Sequence, residues 1–159
     1  MIEQFANLLP LVCFVSIGIK SVIVDLREHR LPNLLTIRLI VAIVVAQIIA
    51  SLILTNWIIW IPVFRTLLFL FFAFIVLYLM SRGGLGMGDV KFVIPCALVV
   101  GWYSPNQWLS FLWFAFGMAS IWSLAFWIRG AITRQSSIAF GPCMFLAVIV
   151  VAGKSLMSG

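Results

Sequence analysis

Four acids stand in a chain of 159 residues, Glu3, Asp25, Glu28 and Asp89, against ten Lys or Arg. Asp25 and Asp89 are the two that could do chemistry as a pair. Carboxyls brought within about 3 Å of each other cannot both ionise cheaply, so they share a proton, and one serves as base while the other serves as acid. Such a pair can activate a water for attack on a peptide carbonyl with neither metal nor covalent nucleophile. Asp89 closes the stretch GLGMGD, Gly84 to Asp89. Its glycines suit a backbone that must turn sharply or let a substrate strand lie close, and they suit a flexible linker equally well.

Each acid also has a structural reading. Asp89 opens an apolar run, where an acid in the first helical turn is stabilised by free amide donors and the macrodipole. Asp25 closes one, where an acid opposes the dipole, so this explanation serves it poorly. Glu3 is terminal, and Glu28 lies among Arg27, His29 and Arg30, where a surface ion pair accounts for it. Other catalytic devices find little material. His29 is the sole histidine and sits in a basic loop, no cluster of zinc ligands is present, and the glycine stretch lacks the Gly-Lys-Ser/Thr of a phosphate loop. No cofactor or metal is expected. Cys13, Cys96 and Cys143 fall singly inside apolar runs and form no CxxC, which reads as buried structural thiols.

The elements that must position these acids are membrane helices. Apolar residues make up 65% of the chain and charged ones 9%, and the apolar runs reach the roughly 20 residues that cross a hydrocarbon core. Spans are expected at about 5–24, 34–54, 60–80, 90–103, 106–128 and 138–157, with polar breaks at REHRLPN, SRGGLGMGD, YSPNQ and RGAITRQSS. The fourth is short and ends at Ser104-Pro105-Asn106. The expectation is an all-α polytopic membrane protein of about six transmembrane helices in a single domain, 1–159. The first run has no basic start and no small-residue cleavage site, so it reads as a retained helix.

Charge sets the orientation. If the first break faces the cytoplasm, Lys20, Arg27, Arg30, Arg38, Arg82, Lys91, Arg129 and Arg134 all flank that side, and only Arg65 and Lys154 fall opposite. Asp25 and Asp89 then both face the cytoplasm. Orientation and anionic headgroups account for the net charge of +6, so no nucleic-acid partner is implied.

Three motifs in order carry a family resemblance. GMGDVK, Gly86 to Lys91, resembles the GxGDxK of type IV prepilin peptidases, a group of GxGD membrane aspartyl proteases. DLREHRLPN, Asp25 to Asn33, resembles that family's first acid with its basic stretch and Pro-Asn or Pro-Asp pair. AFGP, Ala139 to Pro142, resembles its late Pro-Phe-Gly-Pro segment, with Ala139 in place of the proline. The resemblance implies that Asp25 and Asp89 are the catalytic pair and that Gly86 and Gly88 shape the loop before the second. It also matches Lys91, whose role would be electrostatic or that of a positive-inside anchor. Gly141 and Pro142 would shape the sixth helix near the site, although a helix start with Pro in its first turn explains them too.

The activity so implied is removal of a short basic leader, usually after a glycine, from prepilin-like precursors at the cytoplasmic face of the inner membrane. The partners would be those precursors and the bilayer, and nothing fixes an oligomeric state. The cytoplasmic segment with two CxxC pairs that many bacterial relatives use for N-methylation has no counterpart here, so a peptidase without methyltransferase activity is expected. Three other readings compete, one of them a non-catalytic assembly factor for a secretion machine. A presenilin-like or signal-peptide-peptidase-like protease would want a Tyr-Asp pair and a Pro-Ala-Leu segment, which are missing. A small proton- or cation-coupled transporter would want its acids at midplane and not at the interface.

Overall fold

A computed structural model describes residues 2–28, 33–81, 85–128 and 140–158. They form six α-helices and no strand: α1 (Ile2–Glu28), α2 (Asn33–Leu54), α3 (Trp60–Met80), α4 (Met87–Tyr103), α5 (Trp108–Ile128) and α6 (Gly141–Ser158). The protein is an all-α polytopic membrane protein. Each expected span has its helix, with ends displaced by a few residues. α1 runs three residues past Asp25, and α4 starts two before Asp89.

The helices differ in how they meet the bilayer. By length and composition, α1, α2, α3 and α5 can each cross a membrane. α4 has 17 residues and α6 has 18, which at about 1.5 Å per residue gives roughly 26–27 Å, slightly under a hydrocarbon core of about 30 Å. For α4 the reason lies in its place. It packs against all five other helices, and every residue from Pro95 to Trp102 is buried. A helix that is apolar all round belongs inside a bundle, where protein and not lipid surrounds its backbone.

Small residues let these helices close up, as membrane helices require in the absence of a hydrophobic drive between them. Gly101 of α4 lies so near α3 that a Cβ there would stand 2.8 Å from the Val63 Cα. On α1, Ala6, Pro10, Phe14, Gly18, Ser21 and Asp25 are all buried, and their spacing draws one stripe along the helix. Phe14 stacks on Phe145 of α6 with ring centroids 5.3 Å apart, and the same ring fills the space over Gly18, 2.7 Å from where a Cβ would be. Asp25 thus ends a stripe already committed to α6.

The two ends of the bundle are built differently. At one end, Trp102 donates to the Asn7 side chain at 2.9 Å, and Tyr103 donates to the Asn7 carbonyl. Ser155 donates to the Tyr103 carbonyl at 2.6 Å, Arg65 donates to Asn106 at 3.0 Å and Trp60 donates to Ser51 at 3.0 Å. These bonds tie α1 and α6 to α4, and α3 to α2 and to the segment that follows α4. The other end holds both aspartates.

Candidate active site

Asp25 sits near the C-terminus of α1, where its own helix offers it no electrostatic support. The support comes from α6. Gly141, the first residue of that helix, donates its backbone N–H to Asp25 Oδ2 at 3.1 Å, within a region where Asp25 is 4% exposed. First-turn amides have no partner inside their helix and carry the positive end of its dipole, so α6 presents an anion site to α1. The contact admits no side chain. A Cβ on Gly141 would lie 2.6 Å from Asp25 Oδ2 and 3.3 Å from its Cγ. Pro142 follows, buried, in the first turn, where its missing N–H costs no helical bond. Phe140, just before, is packed between Phe74 of α3 and Phe116 of α5, with centroids 6.1 and 5.1 Å away, which anchors this helix start.

Asp89 is the third residue of α4. Its N–H donates to the Gly86 carbonyl at 3.1 Å, and its Oδ2 accepts the Gly86 N–H at 3.2 Å. This is half of a capping box, because the cap residue is a glycine and has no side chain to return the bond. Gly86 has φ −75° and ψ 145°, an extended backbone open to any residue. Its constraint is therefore proximity and not conformation, since a Cβ there would stand 3.2 Å from Asp89 Oδ2. Gly88 is half-buried in the first turn of α4, while Gly84 lies outside the described residues.

The two acids act on each other. Asp89 precedes the apolar stretch 90–103, at the mouth of the bundle. There burial first, and the nearby Asp25 charge second, push its carboxyl from 3.8 to about 7, against the opposing bond from Gly86. A carboxyl so placed holds its proton near neutrality beside a second carboxyl. Among the described residues, no three of His, Cys, Asp and Glu gather in a way that could hold a metal ion.

The remaining residues singled out in the sequence fall as follows. Lys91 is exposed and donates from Nζ to Asn33 Oδ1 at 2.9 Å, a partner that the sequence offered no signal for beyond its place in DLREHRLPN. Glu28 is the last residue of α1, and its side chain, like His29, Arg30 and Ala139, lies outside the described residues. Cys96 and Cys143 are buried and Cys13 half-buried, all as free thiols.

No curated protein and no solved structure matches the chain. The profile of the type IV leader peptidase family matches residues 11–128, a stretch that holds both aspartates and stops before Gly141. With most of its length matched, and with its helices bringing the two acids of the motifs to one end of the bundle, the chain belongs to the type IV leader peptidase family.

Proposed function

We propose that this peptidase is an aspartyl endopeptidase that removes the short basic leader from type IV prepilin-like precursors at the cytoplasmic face of the inner membrane. What supports the reading most is that Asp25 and Asp89, far apart in sequence, lie close enough at one end of the bundle for the charge of one to raise the proton affinity of the other. Asp89 is the member suited to hold the proton. Asp25, ionised, takes a proton from water as the oxygen adds to the scissile carbonyl carbon, and Asp89 gives its proton toward the carbonyl oxygen. Collapse of the tetrahedral adduct breaks the C–N bond and passes a proton to the leaving amine. One water is consumed, yielding a free leader carboxyl and a new N-terminus.

Gly86, Gly88, Lys91, Gly141 and Pro142 act in this account by placing the pair. The basic flanks of the breaks on the aspartate side support a cytoplasmic orientation, which is where a precursor's leader would lie. The test is co-expression with prepilin-type precursors and measurement of precursor mass. Loss of the leader with the unaltered chain, and its retention with Asp25→Asn or Asp89→Asn, is the expected result. Intact precursors beside properly inserted enzyme would refute the reading.

A further inference from the structure

Asp89 needs more than its own helix to stay beside Asp25, because α1 and α4 touch only lightly, while α1 packs at length on α2 and α4 on α3. Something must fix the first turn of α4 against the α1–α2 pair. Beside the packing of α4 on α2 and α6, a polar contact among the described residues contributes to this at the aspartate end. Lys91 Nζ donates to Asn33 Oδ1 at 2.9 Å, joining the second turn of α4 to the first residue of α2. Asn33 follows Asp25 by eight positions and Lys91 follows Asp89 by two, so the bond links the chain shortly after one acid to the chain shortly after the other.

The helical geometry separates Lys91 from the acid it follows. Residues two apart do not share a helix face, so Lys91 reaches sideways to α2 while Asp89 turns elsewhere. We propose that Asn33 and Lys91 form a clasp that sets the register of Asp89 against Asp25, which makes Asn33 a positioning residue for the reaction. The inference rests on the peptidase reading above. It assigns Lys91 the part of a hydrogen-bond donor to a named partner in place of a general electrostatic part. Both residues are exposed, so the bond contributes modestly but measurably to folding, and its loss falls chiefly on the geometry of the pair.

The test is a double-mutant cycle in the full-length chain, with a prepilin-type precursor that the unaltered chain cleaves. Misplacement of catalytic groups by about 1 Å can cost roughly 100-fold in rate, so Asn33→Leu and Lys91→Met are each expected to lower kcat by about tenfold or more with KM little changed. The double variant should be no slower than the slower single variant. Asn33→Asp should keep near-normal activity, since a carboxylate accepts the same bond. An impaired Lys91→Met beside a fully active Asn33→Leu would overturn the clasp, and so would an Asn33→Asp as slow as Asn33→Leu. Should the unaltered chain cleave no precursor, the peptidase reading fails on its own. The clasp is then judged by thermal melting in detergent, where coupled effects at the two positions uphold it and additive effects overturn it.

Discussion

Replacing Gly141 by alanine adds one methyl group at the tightest point of the site. That carbon would stand 2.6 Å from Asp25 Oδ2 and 3.7 Å from Asp25 Cβ, and the first of these distances is one that no real contact sustains. The obstructing atom is the tip of a short side chain, so the fold can survive by swinging the carboxylate aside. The cost then falls on Asp25, which loses both its place beside Asp89 and the 3.1 Å bond from the Gly141 amide. A hydrogen bond to a charged group contributes about 1.5–3 kcal/mol, equivalent to roughly 10- to 100-fold in rate if it is lost in the transition state. Cleavage by Gly141→Ala should therefore fall by about that factor, with melting in detergent lowered by no more than the loss of that one bond. Gly153 supplies the control on the same helix. Nothing lies within 4 Å of a Cβ there, so Gly153→Ala should cleave normally and melt no lower. The assay is the initial rate of precursor shortening, set against melting of the same preparations. A Gly141→Ala enzyme at full rate would refute the claim that α6 positions Asp25.

Three further outcomes follow. Gly101→Ala would place a carbon 2.8 Å from the Val63 Cα, a backbone atom that cannot turn away, so α3 and α4 must separate and thermal melting should reveal a loss of about 1–3 kcal/mol; unchanged melting would contradict the close approach. The raised Asp89 carboxyl has a defined sign: its contribution to stability is fully present below 3.8 and lost as pH rises through about 7, so the unaltered chain should melt lower across that interval and Asp89→Asn should flatten the profile. Cleavage should fall over the same alkaline limb as the pair loses its shared proton, and a rate indifferent to pH around 7 would count against the pairing.

Much of the architecture was legible because it follows from local composition. Apolar runs of membrane length fixed the six helices, and Ser104-Pro105-Asn106 marked the end of α4, which stops at Tyr103. The shortness of α4 was legible as well; its enclosure by the other helices was not, because a run of apolar residues reads the same whether lipid or protein surrounds it. The local half of the site was legible too, since an acid three residues into a helix accepts its own N-terminal amides whatever the tertiary fold. The nonlocal half was not. Asp25 is held by an amide 116 positions away, and from its motif alone Gly141 has two equal explanations. Gly18 and Gly101 carry close approaches that no motif marks, and Asn33, marked in sequence only by its Pro-Asn pair, finds its partner in Lys91 of α4. In each case the deciding partner lies on another helix.

The central claim is that Asp25 and Asp89 work as one unit, and its most direct test is a cycle of Asp25→Asn, Asp89→Asn and the double variant, with Glu28→Gln alongside. Asparagine preserves shape and removes the proton chemistry. The quantity to measure is the fraction of a prepilin-type precursor shortened by each variant, with monodispersity in detergent confirming its fold. The account predicts background cleavage for each single aspartate variant, no further loss in the double, and substantial activity in Glu28→Gln, because groups that act together are strongly non-additive. Cleavage retained by both single aspartate variants would contradict it, and an active Asp25→Asn beside a dead Glu28→Gln would transfer the first catalytic role to Glu28.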